Sequence, residues 1–342
     1  MRSKWTLERC RDYVDAESLP RTKTAMTPVL PNFFIVGAPK AGTTSLYHYL
    51  GQHPDVYMSP VKEPNYFAQE IRLGNVSAHW QDWAEREYES LQLYLRGPMQ
   101  ERKFGGIVSH WPDYLKLFEN VNGEKAIGEA SVCYLWSKTA AGNIASTTPN
   151  AKIVMVLRNP VDRAFSQYKQ AVANGLIGKS FREQVRKSLN NKSDQFELLN
   201  PFLEFGLYYE QVKRYTERFS PDNLRIYLYE EYQQAPTRIT ADIFRFLTVD
   251  PQFSPDVSEK HLQTSVPRFK WVSFMLKQYG VWPLLKNIMP DHLVPVVKQW
   301  ALRDKQTVEL DPSDRAQLSN YYRGDVVRLS ELIKRDLHTW LQ

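Results

Sequence analysis

The stretch from Pro31 to Leu50, PNFFIVGAPKAGTTSLYHYL, constrains this chain more than any other. A short apolar run from Phe33 ends at Gly37, and Thr43 to Leu50 then carries Leu46, Tyr49 and Leu50 at helical spacing before Gly51 stops it. The pattern is strand, glycine-containing loop, helix. Backbone N–H groups at such a helix start point outward and carry the positive end of the helix dipole, which suits a phosphate. Gly42 lets the chain approach closely, Lys40 adds a mobile point charge, and the hydroxyls of Thr43 and Thr44 add neutral donors. Lys40, Ala41, Gly42, Thr43 and Thr44 are therefore candidate phosphate ligands. The plainer alternative is a tight strand-to-helix turn with an exposed lysine.

Further apolar runs follow at Asp55–Met58, Lys125–Ile127, Lys152–Leu157 and Leu224–Tyr229, separated by segments long enough to hold helices. Strands so spaced imply crossover connections and a parallel sheet, with ligands beyond the carboxyl ends of its strands. The expected fold class is α/β, a P-loop-like three-layer domain with a central parallel β-sheet flanked by helices. Asp311 to Leu341 opens with Asp-Pro, an N-cap and a first helical residue, and is expected to form one long closing helix. Residues 1–30, polar and punctuated by Pro20 and Pro28, read as an N-terminal extension, and residues 31–342 as a single domain. A hydrophobic fraction of 42% argues against wholesale disorder.

The 44 basic residues exceed the 38 acidic ones by six, which suits a handler of anions but falls far short of a dedicated nucleic-acid binder. No nucleic-acid partner is expected. Two cysteines, Cys10 and Cys133, imply no disulfide framework. The first residues carry scattered charges and no apolar centre of a secretory signal. The greasiest segment, Trp271 to Leu285, is broken by Lys277, Gly280 and Pro283 and is shorter than the roughly 20 apolar residues a bilayer span needs. The expectation is a soluble, cytoplasmic protein without a transmembrane segment.

Two departures from the ordinary nucleotide-triphosphate loop narrow the ligand. That loop places lysine directly after its second glycine, whereas Lys40 precedes Gly42 by two. A Walker B strand would end in an aspartate for Mg²⁺, but the strand from Lys152 to Leu157 runs into Arg158, Asn159 and Pro160. Arg158 then stands at a strand end and Ser166 on the following helix, both able to face the mouth that holds the phosphate loop. Arginine offers a planar fork for a phosphate dianion, and serine a short donor. The segments P-K-A-G-T-T-S and R-N-P-V-D-R-A-F-S-Q-Y resemble the 5′-phosphosulfate loop and the 3′-phosphate motif of the sulfotransferases that use 3′-phosphoadenosine 5′-phosphosulfate (PAPS), of the bacterial and carbohydrate type. The resemblance runs from about residue 32 to 341. It implies PAPS as co-substrate, held by the phosphate-loop residues with Arg158 and Ser166, and no metal.

The segment Lys62-Glu63-Pro64-Asn65-Tyr66-Phe67 is similar to the K-E-P-x-[YF]-F stretch of the same family. The resemblance makes Glu63 the general base for in-line transfer; on its own the residue reads as a surface charge. Chemistry asks for such a group, because a hydroxyl must lose its proton as it attacks sulfur. Lys40 would follow the charge on the leaving oxygen, and Lys62 would assist or hold Glu63. Residues 127–135, IGEASVCYL, resemble a third family segment, with Ala130 where glycosaminoglycan sulfotransferases often carry a catalytic lysine and Val132 in place of a proline. Glu129 stays open between a second acid–base group and a structural partner for a lysine.

His53 reads as a capping or core group, and His110 ranks behind Glu63 as a base. Lys260 to Arg268 looks like the loop that closes over PAPS, with Arg268 and then Lys260 as phosphate contacts. Residues 269–300 mix Trp271, Phe274, Tyr279, Trp282 and Trp300 with lysines, a composition that fits an acceptor cover, peripheral membrane contact or plain helical packing. The expected activity is sulfonate transfer to a hydroxyl or amine of a carbohydrate, lipid or small natural product. A P-loop kinase or NTPase, and a non-catalytic module binding such nucleotides or acidic polymers, are the rivals.

Overall fold

The computed structural model describes residues 28–75, 81–190, 201–258 and 309–342. Its centre is the apolar run read first from the sequence. Strand β1 (Phe33–Gly37) is buried along its whole length, as a strand covered on both faces must be. The other long strands are β2 (Val56–Met58), β5 (Ala126–Ala130), β6 (Lys152–Leu157) and β7 (Leu224–Leu228), and all pair in parallel in the order β2-β5-β1-β6-β7. A separate pair, β3 (Val61–Lys62) and β4 (Lys103–Phe104), lies beyond the end of β2.

Parallel neighbours need crossovers, and helices supply them. Helix α1 (Thr43–Leu50) leads from β1 to β2; α2 (Gln81–Leu95) and α3 (Trp111–Lys116) precede β5; α4 (Ala140–Thr147) joins β5 to β6. Helices α5 (Pro160–Ala173), α6 (Phe181–Asn190) and α7 (Tyr208–Thr216) separate β6 from β7, and α8 (Tyr229–Gln234) and α9 (Pro236–Leu247) follow it. The expected α/β domain with a central parallel sheet flanked by helices is what the chain forms. Chain direction across the sheet reverses at β1, with β2 and β5 on one side and β6 and β7 on the other, so a crevice opens at the carboxyl ends of β1 and β6.

Element boundaries differ from the expected ones where tertiary contacts decide. The strand expected at Lys125–Ile127 continues to Ala130, because β1 pairs with it through Phe33↔Gly128, Phe34↔Glu129 and Ile35↔Ala130. The closing segment begins as expected, with the Asp311 carboxylate accepting the Ser313 N–H at 2.8 Å, but helix α10 spans Pro312–Ile333 only. Lys334 turns the chain in the left-handed conformation, and this lets Leu337 and Trp340 bury beyond it. The Trp340 ring sits 6.1 Å from that of Tyr208, so the end of the described chain packs behind the carboxyl end of β6.

Candidate functional site

The loop leaving β1 is shaped by backbone contacts before any side chain acts. Ala38 N–H donates to the Val156 carbonyl at 2.7 Å, tying the loop to β6, and Ala41 N–H donates back to Ala38 at 3.2 Å. Lys40 and Gly42 both take positive φ, 66° and 78°. Glycine is required at the second, since a Cβ there would approach the rings of Tyr232 and Tyr229 to 3.0 and 3.1 Å. Gly42 is also the N-cap of α1 and supplies no side-chain acceptor, so the first-turn N–H groups lack a side-chain cap. Ala41 and Thr43 are buried; Lys40 and Thr44 are partly exposed.

Across the crevice, Arg158 follows β6 directly and reaches back to this loop. Its Nη1 donates to the Lys40 carbonyl at 2.8 Å, and its guanidinium carbon lies 4.5 Å from the centre of the Tyr229 ring. Asn159 then caps α5, accepting from Val161 and Asp162 N–H at 2.9 and 3.3 Å, which fixes how that helix leaves the strand. Lys40 Nζ donates to Gln170 Oε1 at 2.7 Å. Gln170 lies one turn beyond Ser166, so the face of α5 that carries Ser166 is the face that meets the phosphate loop. Burial and the neighbouring Arg158 lower the Lys40 pKa to about 8, against a smaller opposing pull from Glu63.

That pull places Glu63 in the electrostatic reach of Lys40. Lys62 is buried, and its Nζ meets Glu63 Oε1 at 2.7 Å, while the Glu63 side chain stays 30% exposed. Glu63 N–H donates to the Ala130 carbonyl at 2.8 Å at the end of β5. Glu63 and Asn65 both adopt left-handed backbone, φ 68° and 57°, and the Asn65 amide donates to the carbonyls of Glu63 (2.8 Å) and Gly106 (3.1 Å). Arg158 meets the Lys40 carbonyl and Lys62 pairs with Glu63, and Lys62, Glu63 and Arg158 are all close enough to act on the Lys40 charge at the carboxyl ends of β5, β1 and β6.

Glu129 is completely buried beneath this loop. Its partners are the hydroxyls of Tyr114 (2.6 Å) and Ser131 (2.7 Å) instead of the lysine considered above. Burial pushes its carboxyl up to about 7 in spite of these hydrogen bonds. His53 is a core group: Nδ1 accepts from Asp55 N–H at 2.9 Å, leaving Nε2–H for the Asp250 carbonyl at 3.1 Å, between the rings of Phe244 and Phe253. His110 is exposed at the N-cap of α3. Lys260, Arg268 and the stretch 269–300 lie outside the described residues. So does most of the expected extension.

Sequence reasoning passed over Gln170 and read Tyr229 as the end of an apolar run. Helical spacing from Ser166 was the available signal for the first. Nothing local marked the second, which stacks on Arg158 only because β7 ends beside β6. A cleft of 460 Å³, lined by Arg225, Arg238, Asp242 and Arg335 among others, lies at the outer edge strand β7 and includes none of Lys40, Lys62, Glu63 and Arg158.

Residues 31–254, more than half of the chain, match the sulfotransferase family profile. The chain belongs to the sulfotransferase family. A crystal structure of a sulfotransferase from Alicyclobacillus acidocaldarius is 31% identical, with a TM-score of 0.66, over 92% of this chain and 100% of that one. Carbohydrate sulfotransferase 15 of Rattus norvegicus is 25% identical over 78% of this chain and 52% of its own length. The human bifunctional heparan sulfate N-deacetylase/N-sulfotransferase 3 is 26% identical over 92% of this chain and 31% of its own. The family member described here therefore spans about half, or a third, of the curated relatives it matches. Among the described residues no helix is long and apolar enough to cross a membrane.

Proposed function

We propose that this protein transfers the sulfonate group of PAPS to a hydroxyl or amine of a carbohydrate acceptor. The observation that carries the reading is the convergence of Lys40, Arg158 and Glu63 at one crevice, two cations and a carboxylate from three separate segments. The donor set fits a bisphosphorylated nucleotide. It comprises a helix start without a side-chain cap, an ammonium whose hydrogen-bond partner is a neutral amide, and a guanidinium held by a carbonyl. Among the described residues neither cation has a carboxylate hydrogen-bonded to it, so each keeps its charge for a ligand. The names of the carbohydrate and heparan sulfate relatives support a carbohydrate acceptor over a lipid or natural product.

PAPS supplies an activated sulfonate with a good leaving group; the chain's residues do the rest. Residues Lys40 to Thr44 bind the 5′ side through backbone N–H groups and the Lys40 ammonium. Arg158 and Ser166 bind the 3′-phosphate, and Arg158 supplies a planar fork. Glu63 takes the acceptor proton as the oxygen or nitrogen attacks sulfur, and Lys62 holds the Glu63 carboxylate in place. Lys40 neutralises the charge that grows on the departing phosphate oxygen. A kinase would need a carboxylate for Mg²⁺ at the end of β6, where Arg158 stands, so transfer is expected to persist in a metal chelator.

Calorimetry tests the nucleotide assignment directly. Adenosine 3′,5′-bisphosphate should bind far more tightly than AMP, and Arg158→Ala should remove most of the difference, a loss of about 1.5–3 kcal/mol, or roughly ten- to a hundredfold. Equal affinity for the two nucleotides would overturn it. Mass spectrometry of unsulfated glycosaminoglycan oligosaccharides incubated with PAPS, read as gain of one sulfonate, tests the acceptor class.

A further inference from the structure

Glu129 is a buried carboxylate that the proposed mechanism does not use, yet its surroundings lead straight to the base. Its Oε1 accepts the Ser131 hydroxyl at 2.7 Å. The Ser131 oxygen also accepts the backbone N–H of Asn65 at 3.1 Å, so one hydroxyl bridges the carboxyl and the loop. Its Oε2 accepts the Tyr114 hydroxyl at 2.6 Å. Tyr134, buried nearby, accepts the backbone N–H of Phe67 at its hydroxyl at 3.1 Å. The Ser131 hydroxyl therefore joins Glu129 directly to the Asn65 backbone amide of the loop that begins at Glu63.

That loop needs holding. Glu63 and Asn65 sit in left-handed backbone, which non-glycine residues leave unless surrounding contacts determine it. Asn65, fixed at its N–H by Ser131, in turn grips the Glu63 carbonyl with its side-chain amide at 2.8 Å. In its ionised form, which prevails above about pH 7, the Glu129 hub only accepts. A glutamine of the same shape would turn an NH₂ toward one hydroxyl and leave that hydroxyl's proton without an acceptor in the core.

We propose that Glu129 is a positioning residue for sulfonate transfer: through the Ser131 hydroxyl it fixes the Asn65 backbone, and through Asn65 the Glu63 backbone and the place of the Glu63 carboxylate. The inference rests on the reading of Glu63 as base, and its tests separate the two. Hydrogen exchange needs no acceptor. In Glu129→Gln the peptide covering residues 61–68 should exchange at least about tenfold faster than in the wild type, with the β1 and β6 peptides unchanged and adenosine 3′,5′-bisphosphate bound within about twofold.

With PAPS and unsulfated glycosaminoglycan oligosaccharides, Glu129→Gln should lower kcat about ten- to a hundredfold at a steady KM for PAPS. In a Glu63→Gln background the same change should cost less than about twofold, because the group it positions is already gone. Ser131→Ala should repeat the loss, and Ser131→Thr, which keeps the hydroxyl, should restore the rate. Equal losses in both backgrounds, or unchanged exchange over 61–68, would overturn the proposal. If Glu129→Gln does not fold, Ser131→Ala removes the linking hydroxyl and carries the same comparison. Should Glu63→Gln alone keep wild-type turnover, the base assignment fails, and the exchange experiment decides the role of Glu129 by itself.

Discussion

At the proposed nucleotide end of the crevice the cations hydrogen-bond to neutral groups, while at the proposed base end every charged group is already spoken for. Lys40 rests on the Gln170 amide and Arg158 on a carbonyl and a tyrosine ring. Glu63 is paired with Lys62, and Glu129 beneath it is surrounded by hydroxyls. The first end suits the anion proposed for it; the second holds its proposed base by contacts within the chain. Burial at the nucleotide end depresses the Lys40 pKa, and an arriving phosphate would reverse that, so binding there is coupled to charge. At the base end, cost has been met in advance by left-handed backbone and a buried carboxylate.

The contrast breaks if both ends fail together. Glu63→Gln keeps shape but cannot accept a proton at neutral pH, so kcat should fall about 10²–10⁴-fold while adenosine 3′,5′-bisphosphate binds as before. Lys40→Ala should instead lose both binding and rate. Parallel losses in the two variants, measured by calorimetry and by transfer from PAPS, would erase the division of labour drawn above.

A pH titration sharpens it. Free Lys40 titrates at about 8, so above that pH it must gain a proton to bind an anion. Affinity for adenosine 3′,5′-bisphosphate should hold steady between about pH 7 and 8, above the titration of its own phosphates, and then fall by up to about tenfold per pH unit, a slope that Lys40→Ala removes.

The base end should show its own pH signature in stability instead of binding. Glu129 is held at about 7 in the fold against 4.5 for the unperturbed group. Folding therefore favours its neutral form: the contribution is full below pH 4.5 and lost as pH rises toward 7. Urea melts across that window should show a wild-type decline that Glu129→Gln reduces, by at most about 1.4 kcal/mol per pH unit. An identical slope in both proteins would show the carboxyl to be unperturbed.

The smallest expected effect probes the neutral partner itself. Gln170→Leu removes a hydrogen bond to the ammonium form of Lys40, so the midpoint of the binding titration should move down by roughly half to one pH unit, or about 0.7–1.4 kcal/mol. An upward shift would mean that Gln170 does not support the charged form.

The nucleotide end was legible in the sequence because its parts are contiguous. A strand that is apolar along its length, a glycine able to take positive φ and a helix start lie within twenty residues, and local sterics dictate their geometry. The run ending in Arg158-Asn159-Pro160 likewise announced a strand end and a capped helix. Glu63 was nameable only through its resemblance to a family segment, since a glutamate between lysine and proline carries no local instruction about what it faces. Which way Glu129 turned could not be read at all. Its partners Tyr114 and Ser131 meet only because β5 runs beside β1 and α3 packs under the loop, and a buried carboxylate takes the donors that the pairing brings, not those nearest in sequence. Local periodicity and turn chemistry thus determined the sheet, its phosphate loop and the cations at its mouth. Tertiary structure alone decided which neutral groups those cations rest on and what holds the base, because hydrogen bonds across 66 or 130 residues of chain depend on strand order, and strand order is a property of the whole core.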